Sequence, residues 1–216
     1  MSSLATLIQQ ATGVAPLECY QCGCCSAGCE QNCPEAMDLS PQRLLHLIQM
    51  EHACQEQPEL AASYSERILT SETIWLCLSC HACAQRCPQG IDLPAVMDAL
   101  RQIALARGQV ASSSRSKRII SSHQAFIETL KRSGRNNEVA LVGKYKMRSG
   151  DLLSDINLAP SMLLKGKLTL NEVVTGALSV LPHRPNPEMQ RILDAATALR
   201  QEPANSPDNN GVNTEQ

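Results

Sequence analysis

The sequence predicts an all-α fold, because its apolar residues recur at helical spacing and no segment shows the alternation typical of a strand. Aromatic residues make up only 2% of the 216 residues, so Leu, Ile, Val, Ala and Met must supply the core. In addition, two cysteine-rich segments are each followed by a segment of helical pattern that opens with a proline, Pro41 and Pro94.

The first half of the chain is expected to hold four helices. One opens the chain near residue 4, and one covers 41–53 with Ser40 as its N-cap. Another is centred on residues 60–68, and the fourth covers 94–107 and ends at Gly108. The residues whose spacing carries these predictions are Leu4, Leu7, Ile8, Ala11, Leu44, Leu45, Ile48, Leu60, Tyr64, Ile68, Val96, Leu100 and Ile103.

The second half is predicted to begin with a polar, mobile linker, "ASSSRSKR", at residues 111–118. A helix follows and ends at Gly134, then a shorter helix, a turn at Lys165–Lys167 and a last amphipathic helix. The residues behind these helices are Ile119, His123, Phe126, Ile127 and Leu130, then Leu152, Leu153 and Ile156, then Met189, Ile192, Leu193, Ala196 and Leu199. The predicted domains are therefore residues 1–110, a helical extension at 111–201, and a disordered tail at 202–216.

The formal net charge of −2 conceals an uneven distribution along the chain. Residues 1–100 hold 3 Lys/Arg and 11 Asp/Glu, a balance of −8, whereas residues 101–167 hold 13 and 4, a balance of +9. The basic segment fits an acidic partner, the acidic half of its own chain, or an ordinary solvated surface. A pI near 6.2 and the scarcity of aromatic residues argue against nucleic-acid binding.

We expect the protein to be cytoplasmic. Its first residues, "MSSLATLIQQATGV", contain no basic start and no long apolar run, so no signal peptide is expected. No stretch approaches the roughly 18 apolar residues of a membrane span. In a reducing compartment, eleven cysteines indicate metal binding or redox chemistry in preference to disulfides.

The segment "CLSCHACAQRCP" carries four cysteines at the spacing of a bacterial-type [4Fe–4S] site. Three thiolates two residues apart wrap a tight loop around three corners of a cluster, and the fourth cysteine faces a second cluster. An earlier segment, "CYQCGCCSAGCEQNCP", repeats the spacing. Two such runs should therefore exchange their last cysteines.

The predicted ligand sets follow from this exchange. One cluster is assigned to Cys19, Cys22, Cys25 and Cys87, and the other to Cys77, Cys80, Cys83 and Cys29. Cys33 is the alternative to Cys29, because Cys33 precedes the proline Pro34 whereas Glu30 follows Cys29. Cys24 and Cys54 are interpreted as spare thiols.

Other chemistry finds little support in the sequence. Structural zinc is the alternative for the cysteines, but zinc favours paired C-x2-C hooks separated by a longer loop. His81 lies inside a ligand loop whose cysteines already complete the coordination. No catalytic arrangement and no Gly-rich phosphate loop is present, so no catalytic residue is proposed. The residues predict an electron carrier with two coordinatively closed clusters.

The sequence resembles the C subunit of heterodisulfide reductase and its bacterial relatives, including those of the sulfur-oxidising heterodisulfide-reductase-like complexes. The resemblance covers roughly residues 15–170. It rests on "CYQCGCC", "MDLSPQRLLHLIQM", "IWLCLSCHACAQRCPQGIDLPAVMDALRQIA", "FIETLKRSGRNNEVALVGKYKM" and "LLKGKLTL". It implies an α-helical ferredoxin fold with two [4Fe–4S] clusters.

The same resemblance implies partners for this chain. A flavoprotein A subunit would supply or collect electrons, a cysteine-rich B subunit would carry the disulfide or sulfur chemistry, and this chain would relay electrons between them. The residues after Cys87 would then provide docking surface. The chain would be a non-catalytic electron-transfer subunit of an oxidoreductase complex, with no membrane span. Two alternatives remain: an iron–sulfur subunit of another dehydrogenase, such as a glycolate oxidase type, or a zinc-stabilised helical interaction module.

Overall fold

The computed structural model describes residues 2–33, 35–134, 138–150, 164–165 and 186–201. Every regular element longer than one turn in these ranges is a helix, and none is a strand, so the all-α prediction is confirmed for them. The elements are α1 (Leu4–Thr12), a 3-10 turn (Pro16–Glu18), α2 (Cys24–Ala27), α3 (Pro41–Ala53), α4 (Pro58–Leu69), α5 (Thr73–Leu76), α6 (Ala82–Gln85), α7 (Leu93–Arg107), α8 (Ser114–Ser133), α9 (Glu138–Ser149) and α10 (Pro187–Gln201).

The chain divides into two compact units, one made of Met1–Gln109 together with Ala198–Gln216, and one of Val110–Thr197. In the first unit α3 and α7 form the centre of the packing. Helix α3 contacts α1, α2 and α4, and α7 contacts α1, α4, α5 and α6. The fully buried side chains at these contacts include Leu4, Ile8, Leu44, Ile48, Ile68, Leu69, Ile74, Val96, Met97 and Leu100.

The helix termini follow the predicted signals. Ser40 accepts a hydrogen bond from the Arg43 amide at 3.2 Å, and Pro41 occupies the first helical position of α3. Gly108 ends α7 at φ 66°, a left-handed conformation that costs glycine little. These caps fix the start of α3 and the end of α7, the two helices that follow the cysteine runs.

The prediction of a mobile linker at residues 111–118 is wrong. Residues 114–118 of the predicted linker belong to α8, which Ser113 caps by accepting a hydrogen bond from the Ser116 amide at 3.1 Å. The buried face of α8 carries Ser116, Ile120, Ala125 and Thr129. Two of the apolar residues whose spacing predicted this helix are exposed: Phe126 is 43% exposed and Ile127 is 49% exposed. In α4, likewise, Leu60 is 41% exposed and Ala61, Ser65, Ile68 and Leu69 are buried.

In the second unit α8 packs against α9. Glu128 of α8 pairs with Lys144 at 3.0 Å and with Arg148 at 2.7 Å, both on α9. Lys144 is only 6% exposed, so its partner offsets the cost of burying an ammonium group. Ala125 and Ala140 let the two helices approach closely. Helix α9 was not predicted, because its polar residues mask the helical spacing.

None of the described helices combines the length and the apolar character that crossing a membrane would require. The predicted short helix around Leu152, the remainder of the Lys165–Lys167 turn and the predicted tail at 202–216 lie outside the described residues. The predicted domain boundaries stay a prediction.

Candidate cluster-binding site

The two cysteine loops adopt the same backbone course. Each loop begins at a cysteine that follows a short helical turn and has an extended backbone. The angles are φ −67° and ψ 124° at Cys19, and φ −61° and ψ 123° at Cys77. Each ends in a one-turn helix, α2 after the first loop and α6 after the second. The repeat seen in the sequence is therefore also a repeat of local structure.

Left-handed residues give both loops their tight curvature. The residue two positions after the first cysteine has φ 61° at Gln21 and φ 51° at Ser79. The residue four positions after it has φ 82° at Gly23 and φ 59° at His81. Non-glycine residues adopt this region at a cost of order 1–2 kcal/mol. The left-handed conformation nevertheless occurs at equivalent positions of both loops, where the turns direct successive cysteines to one side.

A first cavity lies beneath the first loop. Its cysteines are Cys19, Cys22, Cys24, Cys25, Cys83 and Cys87. Leu45, Ile91 and Leu93 contribute apolar wall, and Tyr20 lies at its rim with 70% of its surface exposed. The four cysteines predicted as one ligand set, Cys19, Cys22, Cys25 and Cys87, are therefore brought together around this cavity.

A second cavity, of about 270 Å³, lies beneath the second loop. Its cysteines are Cys29, Cys77, Cys80 and Cys83. Met37, Leu93 and Met97 contribute apolar wall, and Leu78 stands at its rim with 68% of its surface exposed. The other predicted ligand set is thus also brought together. Cys33 and Cys54 are absent from the described lining of both cavities.

The two cavities share part of their wall. Cys83 and Leu93 line both of them. Negative charge on Cys25 also acts on Cys83, which shows that thiols of the two sets lie within electrostatic reach. Cys83 is thus one of the four cysteines in the described lining of the second cavity and one of the six in that of the first.

Glutamine side chains of α3 hold the first loop in place. Gln49 Nε2 donates to the Cys19 carbonyl at 3.0 Å, and Gln42 Nε2 donates to the Gln21 carbonyl at 2.7 Å. Gln21 Nε2 donates to Gln49 Oε1 at 2.8 Å, and its backbone amide donates to Cys19 Sγ at 3.4 Å. These bonds satisfy loop carbonyls and amides that no regular helix or strand pairs.

An arginine of α7 does the same for the second loop. Arg101 Nη2 donates to the Cys77 carbonyl at 2.7 Å, and its Nε donates to the Ile74 carbonyl. Its Nη1 pairs with Asp98 at 2.7 Å. The side chain of Arg101 is only 15% exposed, so these contacts are shielded from water. Helices α3 and α7 therefore play matching roles, one through neutral amides and one through a cation.

A hydrogen-bond cluster ties the segment after the first run to the start of α5, which leads into the second run. Asp38 Oδ1 accepts from Ser71 Oγ at 2.7 Å and from the Thr73 amide at 3.1 Å. Thr73 Oγ1 accepts from the Leu39 amide at 3.0 Å. Burial acts to raise the pKa of Asp38, but the bonds from Ser71 and Thr73 and the charge of Arg67 outweigh it and lower that pKa.

Burial and mutual repulsion raise the pKa of several cavity thiols. Burial is the main cause for Cys19, Cys25 and Cys83, and for Cys83 it acts with negative charge on Cys77 to raise the pKa to about 11. Iron binds thiolates, so loading the site requires these protons to leave, and the positive charge of the iron favours their departure. Crowded thiols at an apolar cavity thus form a donor set that suits an iron–sulfur cluster.

The arrangement of donors also differs from that of a single-ion site. Among the residues that the structure describes, no three His, Cys, Asp or Glu side chains converge as the ligands of one ion would. The cysteines are distributed around cavities, with apolar side chains between them. His81 is 58% exposed at its side chain, and its Nδ1 lies 3.5 Å from Asp92 Oδ1, outside both described linings.

The sequence did not identify the residues that position the loops. Gln42, Gln49 and Arg101 lie on polar faces of amphipathic helices, where a solvated side chain is the ordinary expectation. Their only signal was their place on the helix that follows each cysteine run. That signal does not distinguish them from neighbouring polar residues.

Residues 16–91 match the family of 4Fe-4S dicluster domains. This match indicates two [4Fe–4S] clusters as cofactors, in agreement with the prediction from the cysteine spacing. The matched segment contains both cysteine runs and every residue that lines the two cavities except Leu93, Pro94 and Met97.

Curated relatives of the chain are C subunits of heterodisulfide reductases. The C subunit of the ferredoxin:CoB-CoM heterodisulfide reductase of Methanosarcina mazei is 26% identical over 108 residues, which is 50% of this chain and 58% of the relative. The iron–sulfur C subunit of the CoB–CoM heterodisulfide reductase of Methanopyrus kandleri is 26% identical over 97 residues, 45% of this chain and 43% of the relative. The C subunit of a ferredoxin:CoB-CoM heterodisulfide reductase of Methanosarcina acetivorans is 32% identical over 92 residues, 42% of this chain and 30% of the relative.

The chain therefore spans at most 58% of the length of these three curated relatives. The predicted resemblance to the C subunit of heterodisulfide reductase is confirmed, and it supports an electron-transfer iron–sulfur subunit.

Proposed function

We propose that this relative of the heterodisulfide reductase C subunits relays single electrons between a flavoprotein A subunit and a cysteine-rich B subunit that acts on a disulfide or sulfur carrier. Its 4Fe-4S dicluster domain would hold one cluster on Cys19, Cys22, Cys25 and Cys87, and the other on Cys77, Cys80, Cys83 and Cys29. Each cluster takes up or gives up one electron at a time. The domain carrying them is an α-helical ferredoxin, and the residues after 110 are its docking extension.

The observation that carries this proposal is the shared wall of the two cavities. Cys83 and Leu93 line both, so protein atoms form a direct path for an electron between the two sites. Each cavity also has its own exposed rim residue, Tyr20 at the first and Leu78 at the second. Two separate exposed positions for electron entry and exit suit a relay between two partners better than a carrier that serves one partner at a time.

The other candidate functions have less support. The three relatives described above are heterodisulfide reductase subunits, which favours that complex over a glycolate-oxidase-type dehydrogenase. The match of residues 16–91 to a 4Fe-4S dicluster domain argues against a zinc-stabilised interaction module.

The test is to isolate the chain with its partners from the native cell under anaerobic conditions. We expect bound flavin and a second cysteine-rich protein, and we expect reduced clusters to be reoxidised on addition of a disulfide. Tyr20→Ala and Leu78→Ala form a matched pair, because the two positions are equivalent in the repeat. One variant should slow electron exchange with the flavoprotein and the other exchange with the B subunit. A flavin-free preparation, or clusters that no disulfide or sulfur compound reoxidises, would refute the relay.

A further inference from the structure

The first cavity has one thiol more than a cluster needs. A [4Fe–4S] cluster takes four thiolates, and the second cavity has four cysteines in its described lining. The first cavity has six, of which Cys83 is required by the second. Five thiols thus remain for four positions: Cys19, Cys22, Cys24, Cys25 and Cys87.

The surplus thiol belongs to the first loop alone. Cys24 is the first residue of α2, and the equivalent first residue of α6 is Ala82. The backbone course of the two loops is otherwise matched, including the left-handed residue before each helix, Gly23 and His81. The two loops therefore form an internal comparison in which one has a fifth thiol and the other has a methyl group.

Cys24 lies two residues after Cys22 on the first loop, and both line the first cavity. Cys22 and Cys24 are both exposed, so reagents in solution reach this pair.

We propose that Cys24 is a reserve ligand of the first cavity, which binds the cluster in place of Cys22 when the Cys22 thiolate is lost. The proposal rests on the ligand assignment given under Proposed function. In the exchange the Cys22 sulfur, protonated or alkylated, would leave the iron, the Cys24 thiol would release its proton to water, and the Cys24 sulfur would bind the same iron. No electron is gained or lost.

The exchange would allow the first cluster to survive the loss of one cysteine ligand, which the second cluster would not survive. Cys22 and Cys80 occupy equivalent positions, and both are exposed to alkylating and oxidising reagents. Loss of Cys80 leaves three cysteines in the lining of its cavity, whereas loss of Cys22 leaves four besides Cys83. A thiol reagent that modifies Cys22 and Cys80 while Cys24 is still unmodified should therefore remove the second cluster first.

The test compares Cys22→Ala, Cys24→Ala, Cys22→Ala/Cys24→Ala and Cys80→Ala in the full chain, purified anaerobically. Alanine is used because serine offers an oxygen ligand. Iron per chain and electron paramagnetic resonance of the oxidised and dithionite-reduced proteins are the readouts, with circular dichroism as the folding control. We expect about eight irons per chain for the wild type, Cys22→Ala and Cys24→Ala, and about half for Cys80→Ala and the double variant.

Any of three results would overturn the proposal that Cys24 is a reserve ligand. Cys22→Ala could lose as much iron as Cys80→Ala, or oxidised Cys22→Ala could show a three-iron signal. The third such result is that the double variant keeps both clusters. Failure of the ligand assignment is recognised separately, since the wild type would then lack iron or Cys80→Ala would keep all of it. If circular dichroism shows that a variant is unfolded, the cluster-loaded wild type is treated with iodoacetamide instead. Cluster loss is then followed against the mass-mapped alkylation of Cys22, Cys24 and Cys80, and the prediction applies to molecules in which Cys24 is unmodified.

Discussion

Individual cysteines differ in environment although all eleven are free thiols. Cys29 lines the second cavity, whereas Cys33, four residues further on, is outside the described lining of either cavity. The turn between them directs the two side chains differently: the Asn32 amide donates to the Cys29 carbonyl at 3.0 Å, and the Cys33 amide donates to the Gln31 carbonyl at 2.9 Å. This placement favours Cys29 as the fourth ligand of the second cavity.

Cys29→Ala should therefore lose one cluster, and Cys33→Ala, its matched control, should keep both. The reason is that a cluster retains a closed coordination shell only while all four thiolates are present. Iron analysis of the anaerobically purified variants should show about half of the wild-type iron for Cys29→Ala and full iron for Cys33→Ala. The reverse pattern would move the ligand role to Cys33.

Helices α3 and α7 position the two loops by different chemistry. Gln49 of α3 and Arg101 of α7 each donate a hydrogen bond to the carbonyl of the first cysteine in a loop, Cys19 or Cys77. Bonds from a buried cation contribute about 1.5–3 kcal/mol each, against about 0.5–1.5 kcal/mol for neutral pairs. The second loop thus depends more heavily on its helix than the first.

Arg101→Met should release the second cluster preferentially, and Gln49→Met should have the smaller effect, confined to the first cluster. The physical cause is the loss of donors to the Ile74 and Cys77 carbonyls, which then lie partly buried without them. Rates of iron release to a chelator, followed with the paramagnetic signal of each cluster, measure the two effects. Equal release rates from both variants would show that the arginine has no special role.

Local signals in the sequence were sufficient to predict several helix boundaries but insufficient to predict which helix faces are buried. Ser40, Pro41 and Gly108 act through bonds to neighbours in the chain, so their helix boundaries could be predicted. The placement of three cysteines along each loop could be predicted from their spacing, because the geometry of a loop is also local. The buried face of α8 could not be predicted, because its Ser116, Ala125 and Thr129 are small or polar and are buried only by tertiary contacts.

Charge is distributed unevenly over the whole molecule. Residues 1–100 carry a balance of −8 and residues 101–167 a balance of +9. In the second unit Glu128 neutralises part of the positive charge of α9 by pairing with Lys144 and Arg148. At the start of α8, Arg115, Lys117 and Arg118 are exposed and form a concentrated basic segment.

Neutralising Arg115, Lys117 and Arg118 to glutamine should weaken partner binding and reduce its dependence on salt. Exposed charges steer association over about 8–10 Å at physiological ionic strength, so their removal acts chiefly on the association rate. Binding kinetics at several salt concentrations measure this effect. The control exchanges Arg115→Lys, Lys117→Arg and Arg118→Lys, which keeps the charge. Unchanged binding in the glutamine variant would indicate an ordinary solvated surface.

Metal analysis and electron paramagnetic resonance of the anaerobically purified protein would decide whether this chain is a two-cluster electron relay. We expect about eight irons per chain, negligible zinc, and a dithionite-reduced spectrum with the broadened signals of two magnetically interacting [4Fe–4S] clusters. Such an interaction is expected because the two cavities share Cys83 and Leu93. One or two zinc ions per chain with a silent spectrum would exclude the relay and indicate a structural module.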